Sequence, residues 1–434
     1  ETVLASYEST GSGISGDISG NFGITKIGWG DLTLSTTART FVGDVTVLSG
    51  TLTADAGNTA GAINGRLGAS SNRVVLNGGT LLLANWRQND NFVHPIEAGP
   101  NGGMLQHNHY GSDVNINITG AISGSGLLTI YAYGGNGSFS LNQSAPNSWT
   151  GGTYLPGYTP GARASYITVA ATSSLGTGDV TVGSLSGDVT LTLNSRLNMA
   201  TTAVLSVSGF YGKVQMAEPD QTYEIAALNG LGSVILGPTA GSGTTTLKVS
   251  GSNSSDFAGV IQNNNTAGGR LGALTKSGAG TMTLWGASTY TGPTTIDNGT
   301  LLVNGSISTG GVTVASGAAL GGLGTIGGPV TFQNNAKVAC ELSSGTNDTL
   351  QVNGDLVFGA STTLKLFYSG PKFRPDTSRE YVLIQYTGAD PSPSSWGIDY
   401  GTSGLAGAKV RLDAANKRVV ARFSGLKGTV ILLR

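Results

Sequence analysis

"GAGTMTLWGASTYTGPTTIDNGTLLV", residues 278–303, has a worn counterpart in "GWGDLTLSTTARTFVGDVTVLSGTLTA", residues 28–54. Gly28 aligns with Gly278, Leu34 with Leu284, Phe41 with Tyr290, Gly43 with Gly292, Val47 with Ile296 and Leu52 with Leu301. The offset is 250 residues at Gly28/Gly278 and 249 at Gly43/Gly292, so one residue is lost in the turn between them. Two stretches this far apart follow one pattern, and the chain is read as a set of degenerate repeats. Within the sharper copy Met282 and Leu284 alternate with Thr281 and Thr283, a period of two with an apolar and a hydroxyl-lined face. Asn298-Gly299 supplies a positive φ at a tight bend.

Composition agrees with a long, thin object. The chain has 434 residues, of which 70 are glycine and 11% are charged, and its hydrophobic 38% is spread along the whole length. The glycines have no Gly-X-Y period, which excludes collagen, and the ordered alternation of Val, Ile, Leu and Thr argues against disorder. Short glycine-punctuated strands follow one another for hundreds of residues, and helical spacing with caps at both ends is missing. A repeating series of this length is expected to coil into a right-handed parallel β-helix (β-solenoid), with equivalent strands stacked about 4.8 Å apart. At roughly 20 to 25 residues per coil it would make about 18 to 20 coils. Residues 1–368 are assigned to the helix of degenerate repeats and residues 369–434 to a C-terminal β-rich cap or assembly segment.

An aromatic-x-Gly element marks the repeat at Phe41/Gly43, Trp149/Gly151, Phe257/Gly259 and Tyr290/Gly292; the first three lie 108 residues apart. The aromatic is read as closing a coil corner where glycine permits the turn, rather than as a sugar platform.

"LTKSGAGTMTLWGASTYTGPTTIDNGTLLVNG", residues 274–305, resembles the passenger-associated transport repeat of autotransporters. "ITGAISGSGLLTI" (118–130) and "LGTGDVTV" (175–182) are similar to its flanking segments, while "GTNDTLQVNGDLVF" (345–358) and "REYVLIQYTG" (379–388) are similar to the closing part of such proteins. The resemblance implies a secreted, surface-displayed or released β-helix of a Gram-negative-type bacterium. Autotransporter passengers precede a membrane β-barrel, and no run after residue 305 has the successive amphipathic strands and aromatic girdles of one. The expectation is that a barrel was cut away or that export follows another route. The start at Glu1 rather than Met suggests processing after signal-peptide removal, with an extracellular or cell-surface location.

Chemistry is sparse. Cys340 is the only cysteine, sits in "AKVACEL" and reads as a buried, inert thiol. His107 and His109 share a strand face, but with His94 the only other histidine they make a poor metal site. The dense charge cluster "RPDTSRE" (374–380) reads as a solvated loop, and carboxylates elsewhere are isolated. Calcium-binding glycine-aspartate repeats and nucleotide-binding loops fail on spacing. Asn-x-Ser/Thr at Asn117, Asn142 and Asn253 is expected by chance in so Asn-, Ser- and Thr-rich a chain. No cofactor, metal, nucleic acid, catalytic residue or transmembrane segment is expected.

The ends carry the remaining signal. Residues 372–434 hold 10 Lys and Arg against 5 Asp and Glu, while the rest holds 13 against 19. The N-terminal stretch has strand-like Val3, Leu4 and Tyr7, and the C-terminal "GTVILLR" has a continuous apolar run, Val430, Ile431, Leu432 and Leu433. Both termini are expected to be tied down. The hairpin "KVRLDAANKRVVARF" is one candidate to cover the last strand within the chain; strand addition to the next subunit is the other. Non-closing head-to-tail contacts give filaments. The functional expectation is a structural, non-enzymatic protein that polymerises with itself into an extracellular filament, sheath or matrix. The alternatives are a monomeric adhesin binding a surface glycan, and a polysaccharide-degrading enzyme whose carboxylates meet across coils.

Overall fold

A period-two strand that ends in glycine after three or four residues cannot form a wide sheet by hairpins. It can turn a corner and stack on the equivalent strand one coil later, and the molecule does this throughout. The computed structural model describes residues 2–424 apart from 9–10, 36–37, 58, 60, 86–88, 110–113, 135–136, 158–163, 184–186, 239–240, 265–268, 309, 343–346, 369–375, 393–394 and 401–406. Two compact units are present, Glu1–Thr245 with Thr266–Arg270, and Thr246–Asn265 with Leu271–Arg434.

In the first unit three parallel ladders run side by side. The longest has ten strands, from Ser12–Ile14 and Asp31–Leu34 through Thr51–Gly57, Thr80–Asn85, Gly103–His109 and Leu128–Gly134 to Ala227–Gly230. A flanking ladder stacks Thr2–Ala5, Ile24–Ile27, Val45–Val47, Val74–Leu76, Ile96–Ala98 and Ile122–Gly124. A third, beginning at Asp90–Phe92, takes over on the later coils.

The registers place like on like. Leu32, Leu52, Leu81, Leu105 and Ile130 form one inward column, and Ile116, Phe139, Ile167, Leu191, Val214 and Val234 form another; all are buried. Each such side chain contributes about 1.5–3 kcal/mol on burial. A narrow core therefore suffices, because every coil covers the next.

The second unit repeats the scheme. Its long ladder stacks Ser255–Phe257, Thr281–Leu284, Thr300–Val303, Ala319–Gly321, Lys337–Leu342, Ser361–Tyr368 and Ser395–Asp399. Thr294–Ile296 begins a flanking ladder that runs to Leu356–Phe358. A third ladder reaches Glu380–Tyr386 and then changes character: Arg418–Phe423 pairs with that strand antiparallel, and Ala408–Asp413 pairs antiparallel with Arg418–Phe423. The reversal is made by the short 3-10 turn Ala414–Asn416 and Lys417, whose φ is 53°. An all-β parallel solenoid with a C-terminal antiparallel end is the fold.

Coil lengths correct one expectation. Partners in the long ladders are separated by 18 residues at Leu320/Val338, 29 at Leu52/Leu81 and 34 at Leu364/Ile398. The range is wider than 20 to 25 because loops inserted at corners lengthen a coil without disturbing its rungs. Among the described residues the long ladders of the two units have ten and seven strands, short of 18 to 20 for the same reason.

Candidate functional site

The two sequence copies fold into one device. In the first copy Ile24–Ile27 and Asp31–Leu34 are followed one coil later by Val45–Val47 and Thr51–Gly57, which pair with them. In the second, Leu274–Lys276 and Thr281–Leu284 are followed by Thr294–Ile296 and Thr300–Val303, again in pairs. Each copy is a strand pair stacked on its own successor. Phe41 and Tyr290 fill the equivalent corner between them, both buried. Tyr290 Oη bonds Thr294 Oγ1 at 2.6 Å, and Phe41 stacks on Phe22 with 6.2 Å between ring centroids.

Inside each copy is a buried cation that sequence reasoning passed over. Lys26 and Lys276 are fully enclosed. Lys26 Nζ donates to the carbonyls of Ile27 at 2.9 Å, Gly28 at 2.9 Å and, across to the next coil, Ser49 at 3.1 Å. Lys276 Nζ donates to the Gly278 carbonyl and, across to its next coil, to that of Asn298 at 3.4 Å. The ammonium gives these turn carbonyls a charged donor, the Ile27 oxygen also accepting from Ser6 N–H at 3.2 Å, and it ties consecutive turns together. Burial depresses both lysines from their ordinary value, Lys276 to about 8. For Lys26 the nearby Asp31 opposes that shift.

Glycine completes the cage. Gly50 and Gly299 occupy the same place with φ of 63° and 72°. A Cβ on Gly50 would stand 2.5 Å from both the Gly28 and Gly30 carbonyl oxygens and 2.9 Å from Lys26 Nζ. One on Gly299 would meet the corresponding oxygens of Gly278 and Gly280, and Lys276 Nζ at 2.8 Å. The signal for the lysines was present: both stand at the 250-residue offset that aligns the glycines.

A family model described as Passenger-associated-transport-repeat matches residues 24–54 and 274–303, the segments that form these two devices. Two segments of this β-helix thus match the passenger-associated transport repeat. No curated protein matches the chain closely enough to count as a relative. In this repeat protein, then, the matched unit is a lysine-stapled pair of coils.

The other marked residues fall into different settings. Trp149 is buried between Ser138–Leu141 and Thr153–Leu155, with Nε1 donating to Gly152 O at 3.1 Å. Phe257 is no corner: it ends the strand Ser255–Phe257 and is an inward rung paired with Leu284, because Asp256 beside it takes the outward position. Gly43, Gly151 and Gly292 lie where a Cβ would strike backbone of the preceding coil, at Phe22, Gly126 and Gly272. Gly259 supplies such backbone itself, its carbonyl facing Gly286.

The sparse chemical groups do not converge. Cys340 is buried, and burial, then the Asp348 and Glu341 charges, push its thiol far up. His94 is buried with Nδ1 2.9 Å from Asn72 O and Nε2 3.0 Å from Asn64 O. His107 packs edge-on against Phe139, and the side chain of His109 lies outside the described residues. Among the described residues no three His, Cys, Asp or Glu side chains gather to hold a metal ion. No helix there is long and apolar enough to cross a membrane.

At the first coil Val3 and Tyr7 are exposed, 57% and 58%, and Leu4 is half-buried. Val430, Ile431, Leu432 and Leu433 lie outside the described residues. Three of the ten basic residues of 372–434 are paired within that segment, in Arg411–Glu380 at 2.6 Å, Arg418–Asp413 at 2.6 Å and Lys417–Asp390 at 2.8 Å.

Proposed function

We propose that this chain is a secreted structural β-helix of the bacterial surface whose copies join end to end into filaments, a sheath or a matrix. The observation that carries the reading is the first coil. Among the described residues Thr2–Ala5 pairs with Ile24–Ile27 and Ser12–Ile14 with Asp31–Leu34, and no strand pairs with their other edges. Such an edge is a template for a further strand. Covering it would also bury Val3 and Tyr7. The contact assigned to it comprises Val3, Leu4 and Tyr7 of one copy and Val430, Ile431, Leu432 and Leu433 of the next. Four backbone hydrogen bonds at about 0.5–1.5 kcal/mol each and two large side chains at about 1.5–3 kcal/mol each form a contact of useful strength.

Electron microscopy of the purified chain at neutral pH, without crosslinker, tests the proposal. Regular filaments with a constant axial repeat are expected, and removal of residues 427–434 should leave folded single particles. Single particles from the intact chain at all concentrations would reject assembly. The adhesin reading would then lead, supported by the exposed neighbours Phe210 and Tyr211, and a glycan-binding screen would follow.

A further inference from the structure

The end of the core in the second unit is imperfectly closed. Phe332 stacks on Phe358 with centroids 5.3 Å apart, and Trp396 meets Phe358 edge-on at 4.9 Å. Trp396 belongs to Ser395–Asp399, the final strand of the long ladder, and Phe358 to Leu356–Phe358, the final strand of its flanking ladder. The antiparallel hairpin folds over these rings but leaves a cleft of about 110 Å³. Its walls are Phe358, Pro391, Trp396, Val410, Leu412 and Val419, with Ser392 and Arg411 at the edge. A hollow walled mainly by apolar side chains at the last coil of a solenoid calls for a cover.

We infer that the chain's own C-terminal segment, Val430 to Leu433, seats in this cleft and completes the last coil. Position argues for it. Ser424, the last described residue, donates from its backbone N–H to Gly407 O at 2.9 Å, three residues before Val410 in the cleft wall. Six residues connect Ser424 to Val430, a reach of up to about 20 Å, against about 10 Å for the three residues from Gly407 to Val410. Gly425 and Gly428 flank the connection and permit a reversal. Pairing beside Arg418–Phe423 is closed to the segment, because Glu380–Tyr386 and Ala408–Asp413 already occupy both edges of that strand. Among the described residues the open positions are the far edge of Ala408–Asp413 and that of Leu356–Phe358, each of which has one strand neighbour. Both border the cleft. The apolar run Val-Ile-Leu-Leu also suits a site walled mainly by apolar side chains and covered by nothing described.

The inference stands whether or not copies assemble. If they do, the seated segment is the rung presented to the next copy. The test pairs Leu412→Cys with Val430→Cys, Ile431→Cys, Leu432→Cys or Leu433→Cys in the full chain, oxidised at micromolar and tenfold lower concentration. Cys340 is buried and does not compete. A seated strand alternates sides, so intramolecular disulfides are expected at 430 and 432 or at 431 and 433, with yields unchanged by dilution. No disulfide at any of the four positions, or only intermolecular disulfides that fade on dilution, would overturn the proposal. As a second readout, removal of residues 429–434 should raise the fluorescence of an apolar-surface dye several-fold; an unchanged signal would also overturn it. Filament formation is read separately on the intact chain by microscopy.

Discussion

Gly50→Ala and Gly57→Ala differ in one physical respect and so isolate the tightness of the lysine cage. Both glycines lie in the first unit with nearly equal backbone, φ of 63° and 59°. An alanine at either site bears the left-handed penalty, about 1–2 kcal/mol. At Gly57 a Cβ would meet nothing within 4 Å, so the cost ends there. At Gly50 it would stand 2.5 Å from the carbonyl oxygens of Gly28 and Gly30, backbone atoms that the coil-to-coil hydrogen bonds hold in place. Relief requires the two coils to part, an overpacking cost of about 1–3 kcal/mol. Gly57→Ala is therefore expected to cost about 1–2 kcal/mol and Gly50→Ala about 2–5 kcal/mol. Native-state hydrogen exchange reads this locally, at the amides of Leu48, bonded to Lys26 O at 3.0 Å, and Thr80, bonded to Gly50 O at 2.9 Å. Their protection should fall in Gly50→Ala and hold in Gly57→Ala. Equal loss of protection in the two variants would refute the cage, leaving only backbone strain at either glycine.

Burial depresses Lys276 to about 8 while an unfolded lysine titrates near 10.5, so between these values the unfolded chain holds the extra proton. Stability should accordingly be flat below pH 8 and rise from there to pH 9.5, measured as the urea midpoint; Lys276→Met should remove its share of the rise and leave the part that Lys26, depressed in the same direction, contributes. Tyr290, pushed up by its burial, acts in the opposite sense only above pH 10, which sets the upper limit of the test. The Cys340 thiol should resist a thiol-titrating reagent in the native protein and react fully in denaturant; rapid native reaction would mean the strand pairing around it is wrong. Trp149→Ala should cost about 3–5 kcal/mol, since a fully buried ring and its bond to Gly152 O are both lost. Thermal melting would show it, and a shift no larger than that of a surface substitution would contradict the corner packing.

Sequence alone determined the period and hence the fold class. Alternation at Thr281–Leu284 and the glycine stops around it are local properties, and a solenoid rung repeats them with little added from elsewhere. The alignment of Leu34 with Leu284 and Phe41 with Tyr290 survives in space, because each copy carries both a strand pair and its stacked successor. The bend at Asn298-Gly299 was legible for the same reason, as a positive φ is a demand on one residue. Phe257 was misread because aromatic-x-Gly spacing does not distinguish an inward rung from a corner; only pairing with Leu284 does. Lys26 and Lys276 were missed because the carbonyls of Ser49 and Asn298 that receive them lie 23 and 22 residues away in sequence. Those oxygens come together only when coils stack. The hairpin at 409–423 was legible in the sequence, whereas its antiparallel pairing on Glu380–Tyr386 and the cleft beneath it were settled by tertiary structure, since a strand's pattern fixes which face is buried and leaves the direction of its neighbour to the chain's return path.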